Sequence, residues 1–132
     1  MRFLCLYKPS KAEGTPPTQE EIARMTKLCQ DGFTSGRLLA TEGCLPSAFV
    51  ARVRLSGKNF AVTDGPFAET KELVAGFAIL QASSREEAIA YTKEFLLVAG
   101  DGETEVRQVF EGGECPSKAA SQAAGRKLEP IT

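Results

Sequence analysis

The chain has 132 residues, with 16 lysines and arginines against 17 aspartates and glutamates, a net charge of −1 and no histidine. That length suits one domain, which buries roughly two thirds of the surface its unfolded chain exposes, and the even charge gives no bulk reason to bind nucleic acid or a membrane surface. Without imidazole, Ser-His-Asp and Cys-His catalysis and most catalytic zinc sites are excluded, so any chemistry runs on carboxylates, lysine, arginine, hydroxyls or thiols.

Arg2 to Lys8 reads as a strand that is apolar on both sides, with Phe3, Cys5 and Tyr7 against Leu4 and Leu6, and is therefore expected at the centre of a sheet. A loop with Gly14 and Pro16-Pro17 follows. Thr18-Gln-Glu-Glu21 is a capping box opening a helix whose apolar stripe, Ile22, Met25, Cys29 and Phe33, is expected to lie on the sheet. Gly32 and Gly36 mark its end, and Arg37 to Ala40 forms a short strand leading to a Glu42-Gly43 turn.

Phe49 to Leu55 alternates as a strand with one polar face, which places Arg52 and Arg54 on the same side. Ser56 to Asn59 is a hairpin turn, and Phe60 to Thr63 returns as its second strand. Thr63 to Glu72, Thr-Asp-Gly-Pro-Phe-Ala-Glu-Thr-Lys-Glu, is a charged connection between two apolar runs. Leu73 to Ala82 is a strand covered on both faces. Ser83, Ser84, Glu86 and Glu87 signal a second helix that continues to about Val98 with Ala88, Tyr91 and Phe95 toward the sheet. Thr104 to Phe110 is the last strand. Gly112 to Thr132 has little to bury and reads as a flexible tail, leaving residues 1–111 as the domain.

This order predicts an α+β fold, an antiparallel sheet with two helices on one face. Because the central strands are apolar on both sides, the helix-free face is expected to meet an identical subunit, giving a homodimer. No apolar run approaches the roughly 20 residues of a membrane-spanning helix, and a soluble cytoplasmic protein is expected. Cys5, Cys29, Cys44 and Cys115 lack C-x-x-C spacing and read as reduced thiols; Cys44 lies in a polar loop with the potential to border a cleft, but no base or cation beside it activates the thiol.

The run from Thr63 to Glu72, with Gly76-Phe77 after it, resembles the signature of DGPF-domain proteins within the YCII-related family, and the similarity extends over roughly residues 1–110. The resemblance implies a ferredoxin-like domain that dimerises as an α+β barrel. It also implies candidate enzymes, since some relatives carry a histidine and aspartate pair in a cleft; the histidine of that pair has no counterpart here. Association of some DGPF-type domains with alternative sigma factors implies a sensing or accessory role.

Asp64 is the candidate catalytic residue, a general base or ligand-binding carboxylate at the mouth of a dimer cleft; equally, Asp before Gly-Pro is a turn residue bonding its own backbone. Glu69, Lys71 and Glu72 form a candidate ligand-binding cluster with it, or exposed ion pairs. Glu42 in its glycine-flanked loop, and Arg107 on the last strand, complete the candidate set. No metal-ligand spacing or cofactor motif is present, and no cofactor is expected. The resulting expectation is a homodimer binding a small organic molecule, with carboxylate acid–base chemistry in a cleft. The alternative is a non-catalytic ligand-sensing or protein-interaction module linked to transcriptional regulation.

Overall fold

The computed structural model describes residues 1–68 and 73–111. Its elements are β1 (Arg2–Pro9), α1 (Gln19–Ser35), β2 (Leu38–Gly43), β3 (Ala51–Ser56), β4 (Asn59–Asp64), β5 (Gly76–Gln81), α2 (Arg85–Ala99) and β6 (Gly102–Gln108), with a single 3-10 turn at Ser47–Phe49. Four strands form an antiparallel sheet in the order β2-β5-β1-β6, which is ferredoxin-like, and β3 and β4 pair as a separate hairpin.

Both helices start where the sequence provides a cap. The Thr18 hydroxyl accepts the Glu21 N–H at 3.1 Å and the Ser84 hydroxyl accepts the Glu87 N–H at 3.1 Å. Each satisfies one of the donors that a helix leaves open at its first turn, a contribution of about 1 kcal/mol.

Directly paired residues of antiparallel strands share a face, so the register sorts the sheet into two surfaces. Phe3 lies opposite Leu80, Cys5 opposite Ala78 and Val106, and Tyr7 opposite Gly76 and Thr104, all on the helix side. On the helix-free side one row runs Ala40, Ile79, Leu4, Arg107 and the next runs Glu42, Phe77, Leu6, Glu105. The core, made of Phe3, Cys5, Leu80, Ala82 and Ala88, is concentrated at the end of the sheet where α2 begins.

Several boundaries differ from the sequence reading. β2 continues through Glu42 and Gly43, which pair with Phe77 and Gly76 instead of forming a turn, and a register shift between Leu38 and Ala40 lets Leu39 bulge out. Phe49 belongs to the 3-10 turn and not to β3. β5 begins at Gly76, three residues later than expected, and β6 stops at Gln108, opposite Phe3, although Val109 still donates its N–H to the Arg2 carbonyl at 3.0 Å. The expected tail from Gly112 lies outside the described residues.

The described part of the charged connection is fastened to Ser47, which is 1% exposed. Its hydroxyl donates to Glu13 Oε2 at 2.6 Å and accepts the Phe67 N–H at 3.1 Å, while its own N–H donates to Glu13 Oε1 at 2.7 Å. A Cβ on Gly65 would collide with the Ser47 carbonyl, so glycine is what lets the two backbones close up. The Gly65-Pro66 peptide bond is cis. Because Ser47→Ala leaves the Phe67 N–H and one carboxylate oxygen of Glu13 without partners, it is expected to lower stability by about 1–3 kcal/mol in urea unfolding; an unchanged midpoint would show that Ser47 holds nothing.

Candidate functional site

Helix α1 does not lie flat on the sheet. Its sole buried residue is Gly32, where the missing side chain lets the helix backbone meet Leu38; a Cβ there would stand 2.8 Å from Leu38 Cβ. Toward its N-terminus the helix stands off, and the space beneath it is a cavity of about 930 Å³. The stripe Ile22, Met25, Cys29 and Phe33 lines this cavity, Phe33 remaining 50% exposed. The expected helix-on-sheet packing is thus replaced, over most of α1, by an apolar wall facing open space.

The floor is the helix side of the sheet, Cys5, Ala78 and Leu80 among its residues, and the second wall is the face of α2 carrying Tyr91, Phe95 and Val98. Phe95 stacks edge-on against Tyr7 with centroids 5.1 Å apart. This fixes a ring pair at the end of the cavity away from the core.

The titratable groups of the wall favour their neutral forms. Burial raises the Cys5 and Cys29 thiols above their usual values, and burial reinforced by the Asp101 charge raises Tyr7. Tyr91 is raised chiefly by the hydrogen bond it gives Glu87, at 2.8 Å. At neutral pH these groups are hydrogen-bond donors, not bases. Tyr7 reaches the carbonyls of Ala99, Gly100 and Asp101 at 3.3–3.5 Å, and across the strand pair Thr104 Oγ1 is buried without a hydrogen-bond partner on the same wall.

Charge gathers at the rim. The Arg37 guanidinium lies 4.5 Å from the Tyr91 ring centroid and bonds Glu94 at 3.1 Å, and Lys11 approaches Glu21 at 3.9 Å. The first pair ties the segment after α1 to α2, and the second ties the β1–α1 loop to the first turn of α1.

The sequence-derived candidates fall in different places. Glu42 borders the cavity at the end of β2, but register places its side chain on the helix-free side with Phe77. Arg107 is on that side too, at the opposite edge, bonded to Glu105 at 2.9 Å. Glu105 also meets Lys8 at 3.2 Å, and the two cations, Arg107 first, hold its carboxyl below the usual range. Asp64 is exposed at the end of β4, opposite Ala51, and is not on the cavity wall. Glu69, Lys71 and Glu72 lie outside the described residues. Cys44 does line the cavity, as its loop position suggested. The sequence reading does not include Tyr7, Thr104, Arg37 and Glu94 among the site residues; strand alternation onto the helix side is a signal for Tyr7 and Thr104, and Arg37 and Glu94 carry none.

An antiparallel sheet roofed by two helices, with an apolar cavity held between α1 and the sheet, defines a ferredoxin-like α+β domain with a ligand-sized interior. Residues 1–112 match the model of the YCII-related domain, and the chain belongs to that family. An uncharacterised protein of Rhizobium meliloti (strain 1021) is 34% identical over 102 residues, spanning 74% of this chain and 82% of the relative. A solved structure, the 5-chloro-2-hydroxyhydroquinone dehydrochlorinase TftG of Burkholderia phenoliruptrix in complex with 2,5-dihydroxybenzoquinone, covers 85% of this chain and 96% of its own at 15% identity and a TM-score of 0.39. Among the described residues no helix is long and apolar enough to cross a membrane, and no group of three or more Cys, Asp or Glu could hold a metal ion.

The cluster beside the cavity has a pH signature. Glu87 accepts from the Ser83 hydroxyl at 2.7 Å, from Tyr91 at 2.8 Å and from the Ser83 N–H at 3.3 Å, and these bonds, that of the Ser83 hydroxyl first, hold it below its usual 4.5. A depressed carboxylate contributes stability above its unfolded value and loses it as pH falls through the folded one. In thermal melts across pH, wild type is therefore expected to exceed Glu87→Gln by a margin that is largest near neutrality and shrinks below pH 4.5; a constant margin would contradict the assignment.

Proposed function

We propose that the protein is a homodimeric small-molecule-binding domain of the DGPF branch, in which each subunit holds a largely apolar organic molecule between α1 and the sheet. The observation that carries this reading is the apolar stripe of α1, which faces a cavity of about 930 Å³ instead of the sheet. That volume is in the range of pockets that enclose drug-sized ligands. The neutral wall disfavours a charged ligand body, because a buried ion without a partner is costly. Thr104 Oγ1 and the Tyr7 hydroxyl offer polar contacts to a hydroxyl or carbonyl at the far end.

The helix-free face supports the dimer half of the reading. Leu4, Leu6, Phe77 and Ile79 form its centre, with Glu42 at the β2 edge and Arg107 at the β6 edge. With the two-fold axis running along the strands through the apolar centre, the Glu42 edge of one copy meets the Arg107 edge of the other, a self-complementary arrangement that closes a dimeric α+β barrel. Glu42 and Arg107 then serve the interface. Within one subunit Asp64 stands outside the cavity wall, so binding without acid–base chemistry is the better supported use of the site.

Anilinonaphthalene sulfonate, a mainly apolar fluorescent probe, is expected to bind saturably with one site per subunit. Filling the cavity from both walls with Cys29→Trp and Ala78→Phe is expected to weaken that binding at least about tenfold while cooperative thermal unfolding is kept. Unchanged affinity in a folded double variant would refute the cavity as the binding site.

A further inference from the structure

The β3–β4 hairpin has no place in the body of its own subunit. It forms its own two-stranded sheet, and its strand residues are exposed throughout. Its register is nonetheless amphipathic: Val53 pairs with Val62 and Leu55 with Phe60 on one face, while Arg52 and Arg54 share the other, and Lys58 sits in the turn. The four apolar side chains are 58–73% exposed. An isolated two-stranded hairpin is marginal in water, and an apolar face of this size calls for cover.

The base of the hairpin is fixed, so the arm has a set direction. Gly65 donates its N–H to the Val50 carbonyl at 2.9 Å, and Arg52 lies 3.7 Å from the Phe67 ring centroid. Phe67 is itself tied to Ser47.

We propose that this hairpin is an intersubunit arm whose apolar face lies on the body of a second copy of the chain; this rests on the homodimer reading and adds a second contact surface to it. Three observations select that occupant. The chain's own remaining segment, 112–132, offers Leu128 and Ile131 as its only large aliphatic side chains and does not match the apolar face. Four side chains exposing on the order of 100 Å² each, doubled by symmetry and doubled again by the surface they cover, come to roughly 1,600 Å², the size of a standard stable interface. Finally, the charged residues of β3, its turn and β4 are Arg52, Arg54, Lys58 and Asp64, a net +2, and removing these from the net −1 leaves the rest of the chain at −3. A basic arm on an acidic body is attractive, whereas arm against arm would gather six cations against two carboxylates.

The test is sedimentation velocity on wild type and on the Val53→Ser/Phe60→Ser variant, with hydrogen exchange of wild type at about 1 µM and about 100 µM, concentrations bracketing an ordinary dimer constant. The dimer is expected to weaken at least about a hundredfold in the variant, and hairpin amides of wild type are expected to lose protection on dilution. A wild-type dimer that persists in the variant, with hairpin exchange independent of concentration, overturns the arm and spares the homodimer. A monomeric wild type at the higher concentration overturns both. Hairpin protection that appears only with phosphatidylglycerol vesicles or with an oligothymidylate also overturns the arm, by assigning it to a lipid surface or a nucleic acid. The exchange measurement needs no variant and stands even if the double substitution fails to fold.

Discussion

Helix α1 comes down onto the sheet at Gly32, and the rest of the molecule is arranged around that contact. A glycine in a helix interior costs roughly 1 kcal/mol relative to alanine, so its presence points to a packing need. The need is visible: a Cβ at this position would stand 2.8 Å from Leu38 Cβ. Pinned near its C-terminal end and lifted elsewhere, the helix turns an amphipathic stripe into one wall of a chamber. The core fills the sheet where the helix is pinned, and the cavity opens where it is lifted.

The chamber and the charged connection turn out to be different devices. The inner wall is apolar and neutral, its ionisable groups pushed toward their uncharged forms mainly by burial and by the Tyr91–Glu87 hydrogen bond. The described part of the connection instead secures the root of the hairpin. Gly65 is pressed on the Ser47 carbonyl, Phe67 takes the Ser47 hydroxyl as acceptor, and the Phe67 ring sits under Arg52. A serine carrying no obvious signal in the sequence thereby joins the loop of Glu13, the 3-10 turn and the connection.

Much of the fold was legible because local chemistry and tertiary structure agree. Thr18 and Ser84 cap the two helices as their sequence context indicates, β1 is central as its two apolar faces require, and the Ser56 to Asn59 turn closes a hairpin. What sequence periodicity could not separate was an apolar stripe meeting a sheet from an apolar stripe meeting a cavity, since both need the same spacing. The strand alternation of 51–55 likewise shows that one face is apolar without showing what covers it. Glu42 was placed in a turn because Gly43 follows it, but pairing with Phe77 and Gly76 holds both in β2. Ser47 and Thr104 were missed because their weight comes from burial, a property of the assembled fold.

The central claim is that α1 and the sheet border an open apolar cleft able to take a guest. A crystal pressurised with xenon tests it without any knowledge of the natural ligand, since dry apolar cavities take up xenon. Xenon density between Cys29 and Ala78, under a raised α1, is the predicted result. An α1 packed down on Cys5 and Ala78, with no xenon beneath it, would contradict the account.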